Sequence, residues 1–218
     1  MMLLYIIRHG ETDYNVEGRL QGWSDIPLNE KGRKLAEVTG KALKDVPFDL
    51  VITSPLERAV ETAKLVIGDR KVPFVVDRRI IECGNGEWEG LNKEEIEAKG
   101  FGEEYEKIRT DPMNYKGGPG GETIKQVLKR TAEFLDEILA NPQYQDKTIL
   151  ISLHGGSMRA MLNRFYENKE DFWHGNVPPN CAVNIVKVEN GNAVLWKEDQ
   201  IYYDRSLISD HYNYADHK

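Results

Sequence analysis

The residues best able to do chemistry lie far apart in the chain. Arg8 and His9 follow an apolar run at residues 3–7, Arg58 lies one turn into a helical segment, and His154 ends a second apolar run, TILISL, with Gly155 and Gly156 behind it. Each arginine can fork two hydrogen bonds onto the oxygens of a phosphoryl group. Their charge disfavours protonation of neighbouring imidazoles. A neutral imidazole keeps a lone pair that can attack phosphorus. A second imidazole, if protonated, can neutralise the equatorial oxygens as charge spreads in a loose transition state. Removing one such contact commonly costs roughly 3 kcal/mol of transition-state stabilisation. A leaving alkoxide also needs a proton. Glu82, just after a short apolar run in RRIIECGNG, is a carboxylic acid that could give one and later activate water. Together these residue types suit phosphoryl transfer.

They can act together only if the fold brings them together. Residues 3–7 read as a strand buried on both faces, as in a parallel sheet. A helix follows over 29–44, with Asn29 as its cap and Leu35, Val38, Ala42 and Val46 near one face. FDLVITS reads as a second strand. The next helix is expected to open with Ser54 as cap, Pro55 in the first turn and Glu57 completing a capping box, with Leu56, Ala59, Val60, Ala63 and Ile67 buried and Gly68 at its end. A further helix runs over ETIKQVLKRTAEFLDEIL to a stop at Asn141 and Pro142, followed by the strand before His154 and the helix GSMRAMLNRFY. CAVNIVKVEN and AVLWKED read as a closing pair of strands around Asn190 and Gly191, and the last dozen residues as a polar tail.

This order predicts an α/β protein of three layers. A mostly parallel central sheet is flanked by helices, and a helical and loop insertion over residues 84–121 covers the carboxyl edge of the sheet. The expectation is one domain, 1–218. Ligands bind at the carboxyl ends of such strands, where Arg8, His9, Arg58 and His154 all fall. Gly155 also opens a helix whose amino end favours an anion. Taken singly, each residue has an ordinary alternative. His9 could be a strand-end histidine bonded to backbone, Arg58 could pair with Glu61, and Glu82 could pair with Arg78 or Arg79. Their matching contexts favour the chemical reading.

Composition narrows the field. The chain has 218 residues and a net charge of −7, which argues against nucleic-acid binding through bulk positive charge. The opening apolar run is too short for a membrane span and has no basic flank of a signal peptide. Two isolated cysteines, Cys83 and Cys181, make neither a disulfide framework nor a zinc spacing, and a reducing cytoplasm is the expected home. Neither cysteine is followed six positions later by the arginine of a cysteine-based phosphatase, those places being Glu89 and Lys187. His174, His211 and His217 show no metal-ligand grouping, and no phosphate-binding loop of a nucleotide site appears. No metal and no cofactor is implied. The expected partner is a small phosphorylated metabolite, and oligomeric state carries no signal in the sequence.

Four stretches, RHGETDYN, ITSPLERAVETA, RIIECGNGEWEGL and SLHGGSMRA, resemble in order the signature blocks of the histidine phosphatase superfamily, the phosphoglycerate mutase-like proteins. The resemblance covers the chain from the first strand to about Arg159. It implies a phosphohistidine intermediate on His9, a phosphate pocket completed by Arg8, Arg58 and His154, and Glu82 as proton donor. It also implies that Asn15, Gln21 and Gly22 line the substrate site. The stretch after Glu82 is closer to the phosphatase-like members than to cofactor-dependent mutases. Between Glu82 and Asp111 only Lys93, Lys99, Lys107 and Arg109 could hold a second phosphate. A phosphomonoesterase is therefore expected. The rivals are a cofactor-dependent phosphoglycerate mutase and a module that binds phosphoryl ligands without turnover. Trp23, Trp88 and Trp173 either edge the pocket or pack in the core.

Overall fold

The computed structural model describes residues 1–209. Residues 210–218, which include most of the expected tail with His211 and His217, lie outside the described residues. Strands β1 (Met2–Arg8), β2 (Leu50–Thr53), β3 (Phe74–Val76), β4 (Thr148–Leu153), β5 (Val183–Glu189) and β6 (Asn192–Gln200) form one sheet in the order β3-β2-β4-β1-β5-β6. The first four of these positions are parallel, and β5 and β6 are antiparallel, as the closing pair predicts. The helices are α1 (Asp13–Val16), α2 (Glu30–Ala42), α3 (Glu57–Ile67), α4 (Lys93–Ala98), α5 (Gly102–Thr110), α6 (Ile124–Ala140) and α7 (Gly155–Leu162).

The period of two along β1 makes the layers. Leu4 and Ile6 face a cluster with Phe134, Leu135 and Ile138 of α6 and Met158 and Met161 of α7. Tyr5 and Ile7 face the other way, onto Leu35 and Ala36 of α2 and Ala63, Val66 and Ile67 of α3. Each such side chain, taken fully out of water, contributes roughly 1.5–3 kcal/mol. The register that follows matters most for function. Arg8 lies opposite Leu153 and Thr53 opposite Ser152, so β1, β4 and β2 end abreast. The residues just beyond them, His9, His154 and Ser54, share one edge.

Several local expectations change. The buried stripe of α2 is Leu35, Ala36 and Thr39, while Ala42 is exposed. The short β3 was not expected. Its Phe74, Val75 and Val76 are all exposed at the sheet edge, so no burial pattern marks them. The capping box proposed for α3 does not form: Leu56 is the cap residue and offers no side-chain bond. The amide of Glu57 donates instead to Asp25 at 2.7 Å, because Ser54 meets His154. In the insertion, Trp88 is buried with Ile96 and Tyr115 in a cluster shared with Ile124 and Val127 of α6 and Phe172 and Trp173.

The first turn of α2 lies directly on the backbone that follows β1. A Cβ on Gly32 would stand 2.1 Å from the Glu11 carbonyl oxygen and 2.6 Å from its amide. Backbone on both sides leaves no flexible group to yield. Gly32→Ala is expected to destabilise the fold by about 1–3 kcal/mol in urea unfolding. In an exposed helix interior the same exchange stabilises by roughly 1 kcal/mol. A transition midpoint that stays put or rises would refute the close approach.

Candidate active site

His9 follows β1 directly, and its amide donates to the Leu153 carbonyl of β4 at 2.9 Å. Its carbonyl accepts from the side-chain amide of Asn180 at 3.0 Å. The ring Nδ1 lies 2.6 Å from the Gly10 carbonyl oxygen. A carbonyl only accepts, so Nδ1 carries the hydrogen and Nε2 keeps the lone pair. Thr62, on the buried face of α3, accepts from the Gly10 amide at 2.9 Å and so anchors the peptide that joins His9 to Gly10.

Arg58 is fully buried on the same face of α3. Its Nη1 and Nη2 donate to the carbonyls of Ser24 and Gly22 at 2.7 and 2.8 Å, and its Nε donates to His154 Nδ1 at 3.2 Å. A guanidinium only donates, so Nδ1 of His154 is the acceptor nitrogen. Nε2 therefore carries the hydrogen and donates to the Ser54 hydroxyl at 2.7 Å. The two imidazole rings have their centres 5.2 Å apart. Arg8, also buried, donates to the carbonyl of Pro178.

Burial sets the charge of this group. It is the largest influence holding both His9 and His154 well below the ordinary imidazole value, and the positive charge of Arg58 and Arg8 adds to it. Both rings are neutral at pH 7. Burial also pulls Arg58 down to about 10, against the opposing pull of the Glu82, Asp25 and Glu89 carboxylates. Two guanidiniums and two uncharged imidazoles in a low-dielectric setting form a strong electrostatic demand for an anion.

Glu82 meets the site from the start of the insertion. Its Oε1 accepts from the amides of Cys83 at 2.8 Å and Ser157 at 3.0 Å, and its Oε2 from Gly156 at 3.2 Å. The carboxylate thus sits at the amino end of α7, where a helix favours negative charge. A Cβ on Gly156 would come within 2.8 Å of Oε1, so this approach needs glycine. Trp23 Nε1 and Arg130 donate to the Glu82 carbonyl, each at 2.9 Å. The pairing of Glu82 with Arg79 that was an alternative is absent: Arg79 binds Asp77 and Glu137. Glu61, likewise, pairs with Arg33 rather than Arg58.

One cavity is lined by Arg8, His9, Arg58 and Glu82 together with Asn15, Gln21, Gly22 and Gly155. His154 stands behind them in contact with Arg58. The Thr12 hydroxyl lies 3.0 Å from Gln21 Oε1 and 3.1 Å from Asn15 Oδ1, tying the two amides to the loop after β1. Of the three tryptophans considered, Trp173 lines the cavity, Trp88 is in the core, and Trp23 is partly exposed over Glu82. Ser54, Thr62 and Asn180 had no sequence signal of their own. The strand-end position of Ser54, matching that of His9 and His154, was the one available clue. Among the described residues, no three His, Cys, Asp or Glu side chains are grouped as metal ligands are. No helix among them is long and apolar enough to cross a membrane.

Comparison with known proteins places the sequence and the fold. The profile of the histidine phosphatase superfamily (branch 1) matches residues 4–199. The chain is 38% identical over 166 residues to 2,3-bisphosphoglycerate-dependent phosphoglycerate mutase 2 of Gloeobacter violaceus, covering 74% of each. It is 31% identical over 198 residues to phosphoserine phosphatase 1 of Hydrogenobacter thermophilus, covering 90% of this chain and 92% of that one. Its fold superposes on Bacillus stearothermophilus YhfR with a TM-score of 0.86 at 33% identity, covering 92% of this chain and 98% of that one. On sequence, fold and the grouping at the strand ends, the chain belongs to the histidine phosphatase superfamily.

Proposed function

We propose that this protein is a phosphomonoesterase that hydrolyses a small phosphorylated metabolite through phospho-His9. The observation that carries the reading is a neutral His9, its Nε2 lone pair preserved by the bond from Nδ1 to Gly10, in one cavity with Arg8, Arg58 and Glu82. In the first step Nε2 forms a bond to phosphorus as the ester P–O bond breaks. Glu82, as the acid, gives its proton to the leaving oxygen. In the second step water attacks phosphorus, the P–N bond breaks, and Glu82 takes the proton from the water. Neutral His9 is restored. Arg8 and Arg58 hold the equatorial oxygens throughout. His154 acts through Arg58: its Nδ1 accepts from the Arg58 Nε and fixes the guanidinium that faces the phosphoryl group.

The mutase reading has support in the relatives named for that activity. The insertion argues against it. Lys93 pairs with Glu97 and Glu106, Lys107 with Glu104, and Arg109 with Glu106, all within the insertion. Neither these three nor the exposed Lys99 is among the described residues lining the cavity. Among the described residues the insertion offers no cation to clamp a second phosphate in the cavity, and Arg19, which does line it, is paired with Glu17 and Glu95, so water is favoured as the final acceptor. Two buried free thiols, Cys83 and Cys181, suit the reducing cytoplasm.

His9→Ala is expected to lower kcat on p-nitrophenyl phosphate at least 1000-fold, on the order of the loss of a nucleophile, with activity of the parent retained in chelator. Parent denatured in alkali during turnover should carry phosphate on His9, in a P–N bond that acid then cleaves. A mutant with parental turnover would defeat the mechanism. Release of little phosphate, alongside primer-dependent interconversion of phosphoglycerates, would select the mutase instead. Glu82→Gln should slow an alkyl phosphate by about 100-fold or more and p-nitrophenyl phosphate far less, because a good leaving group needs no proton. Equal losses on both esters would remove Glu82 from the proton path.

The depressed histidines also predict a pH profile. A group with a lowered pKa stays unprotonated as pH falls through 6.5, the ordinary imidazole value. Ring-proton NMR signals of His9 and His154, assigned through His9→Ala and His154→Ala, should therefore hold still between pH 7.5 and 5.5. Titration of either signal near 6.5 would contradict the buried, neutral pair.

A further inference from the structure

Beyond the phosphoryl end, the cavity has a second wall, and its chemistry bears on the other half of the substrate. Leu20, Ile108, Ile124, Trp173 and Val177 line it. They come from the loop after α1, from α5, from the start of α6 and from the segment between α7 and β5. Four of the five belong to one buried apolar cluster, and Ile108 packs against it. Val177 begins the wall next to the phosphoryl end, with Cγ1 only 2.5 Å from where a Cβ on Gly155 would stand. Trp173 contributes its ring body, since its indole N–H donates to the Ile108 carbonyl at 2.6 Å and so fastens α5 over the cavity.

The polar remainder carries little charge for a ligand to use. Apart from Arg8 and Arg58, the one cation among the described lining residues is Arg19. Its guanidinium is held by Glu17 and Glu95, both at 2.7 Å, and by the Gly90 carbonyl at 2.6 Å. Asn15, Gln21 and Asn85 are neutral amides. A carboxylate or a second phosphate carried into this half would lose water and meet only Arg19, whose charge two carboxylates already offset.

Resting on the phosphomonoesterase reading, we infer that the leaving group is apolar and uncharged: an alkyl or aryl alcohol rather than the carboxylate-bearing alcohol of phosphoserine or phosphoglycerate. The apolar wall replaces the water around that group, and selectivity grows with the hydrocarbon it covers.

Non-hydrolysable phosphonates test recognition apart from turnover. By calorimetry, the dissociation constants of ethyl-, butyl- and hexylphosphonate should fall by about fourfold per methylene. Propylphosphonate should bind at least tenfold more tightly than 3-phosphonopropionate, which has the same length and ends in a carboxylate. Ile108→Lys, on the half-buried lid helix, should narrow or reverse that gap, and its melting curve reports whether it folds. The wild-type series decides the matter alone if it does not. A flat chain-length series, or tighter binding of the carboxylate ligand, overturns the inference. Phosphate release from butyl phosphate is followed in parallel. Hydrolysis with a flat phosphonate series sinks the apolar leaving group and keeps the hydrolase. Graded phosphonate binding without hydrolysis sinks the hydrolase and keeps the recognition.

Discussion

The guanidinium of Arg58 is the pivot of the molecule. It is fully buried, yet it reaches two segments at once: the 22–24 loop through two carbonyls, and the end of β4 through the ring of His154. A buried cation of this kind is costly unless its donors are satisfied. The chain meets three of its donors with neutral acceptors, and carboxylates of Glu82, Asp25 and Glu89 act on the charge from further off. Burial pulls Arg58 down to about 10 against those carboxylates. The neutrality of both imidazoles follows first from burial and then from the positive charge of Arg58 and Arg8. What the fold stores is a prepared field for an anion, with an unprotonated imidazole inside it.

The sheet makes this arrangement possible. Parallel strands that end abreast deliver His9, Ser54 and His154 to one edge without any contact between them in sequence. α3 then carries Arg58 and Thr62 on a face that would otherwise be wholly apolar. The carboxylate of Glu82 enters from the opposite side and rests on the amino end of α7. Three independent structural devices thus converge: strand register, a polar pair on a buried helix face, and a helix terminus.

Much of this was legible beforehand, and the misses have physical causes. Unbroken apolar runs marked β1, β2 and β4 because strands buried on both faces permit no polar alternation. The histidines stood out because they end those runs. By contrast, β3 has three exposed residues and belongs to the sheet only through pairing with β2. Ser54 looked like a helix cap because its sequence context, serine before proline with glutamate three residues later, fits one. Only the arrival of β4 beside β2 gives the hydroxyl a different partner, and no local pattern encodes that. Trp173 and Val177 reach the cavity from a segment between α7 and β5 that has no regular pattern. Their role depends on where the chain turns back, with His174 and Cys181 at positive φ along the way.

The bond from Trp173 to the carbonyl of Ile108 has an implication for how such a protein diversifies. It joins the roof to the body by a backbone acceptor, which any residue at position 108 supplies. The side chain there is consequently at liberty to vary while the roof stays attached. The polar cluster belongs to the sheet edge and the apolar wall to the roof, so a replacement at 108 alters the wall and leaves the cluster of Arg8, His9 and Arg58 as it was.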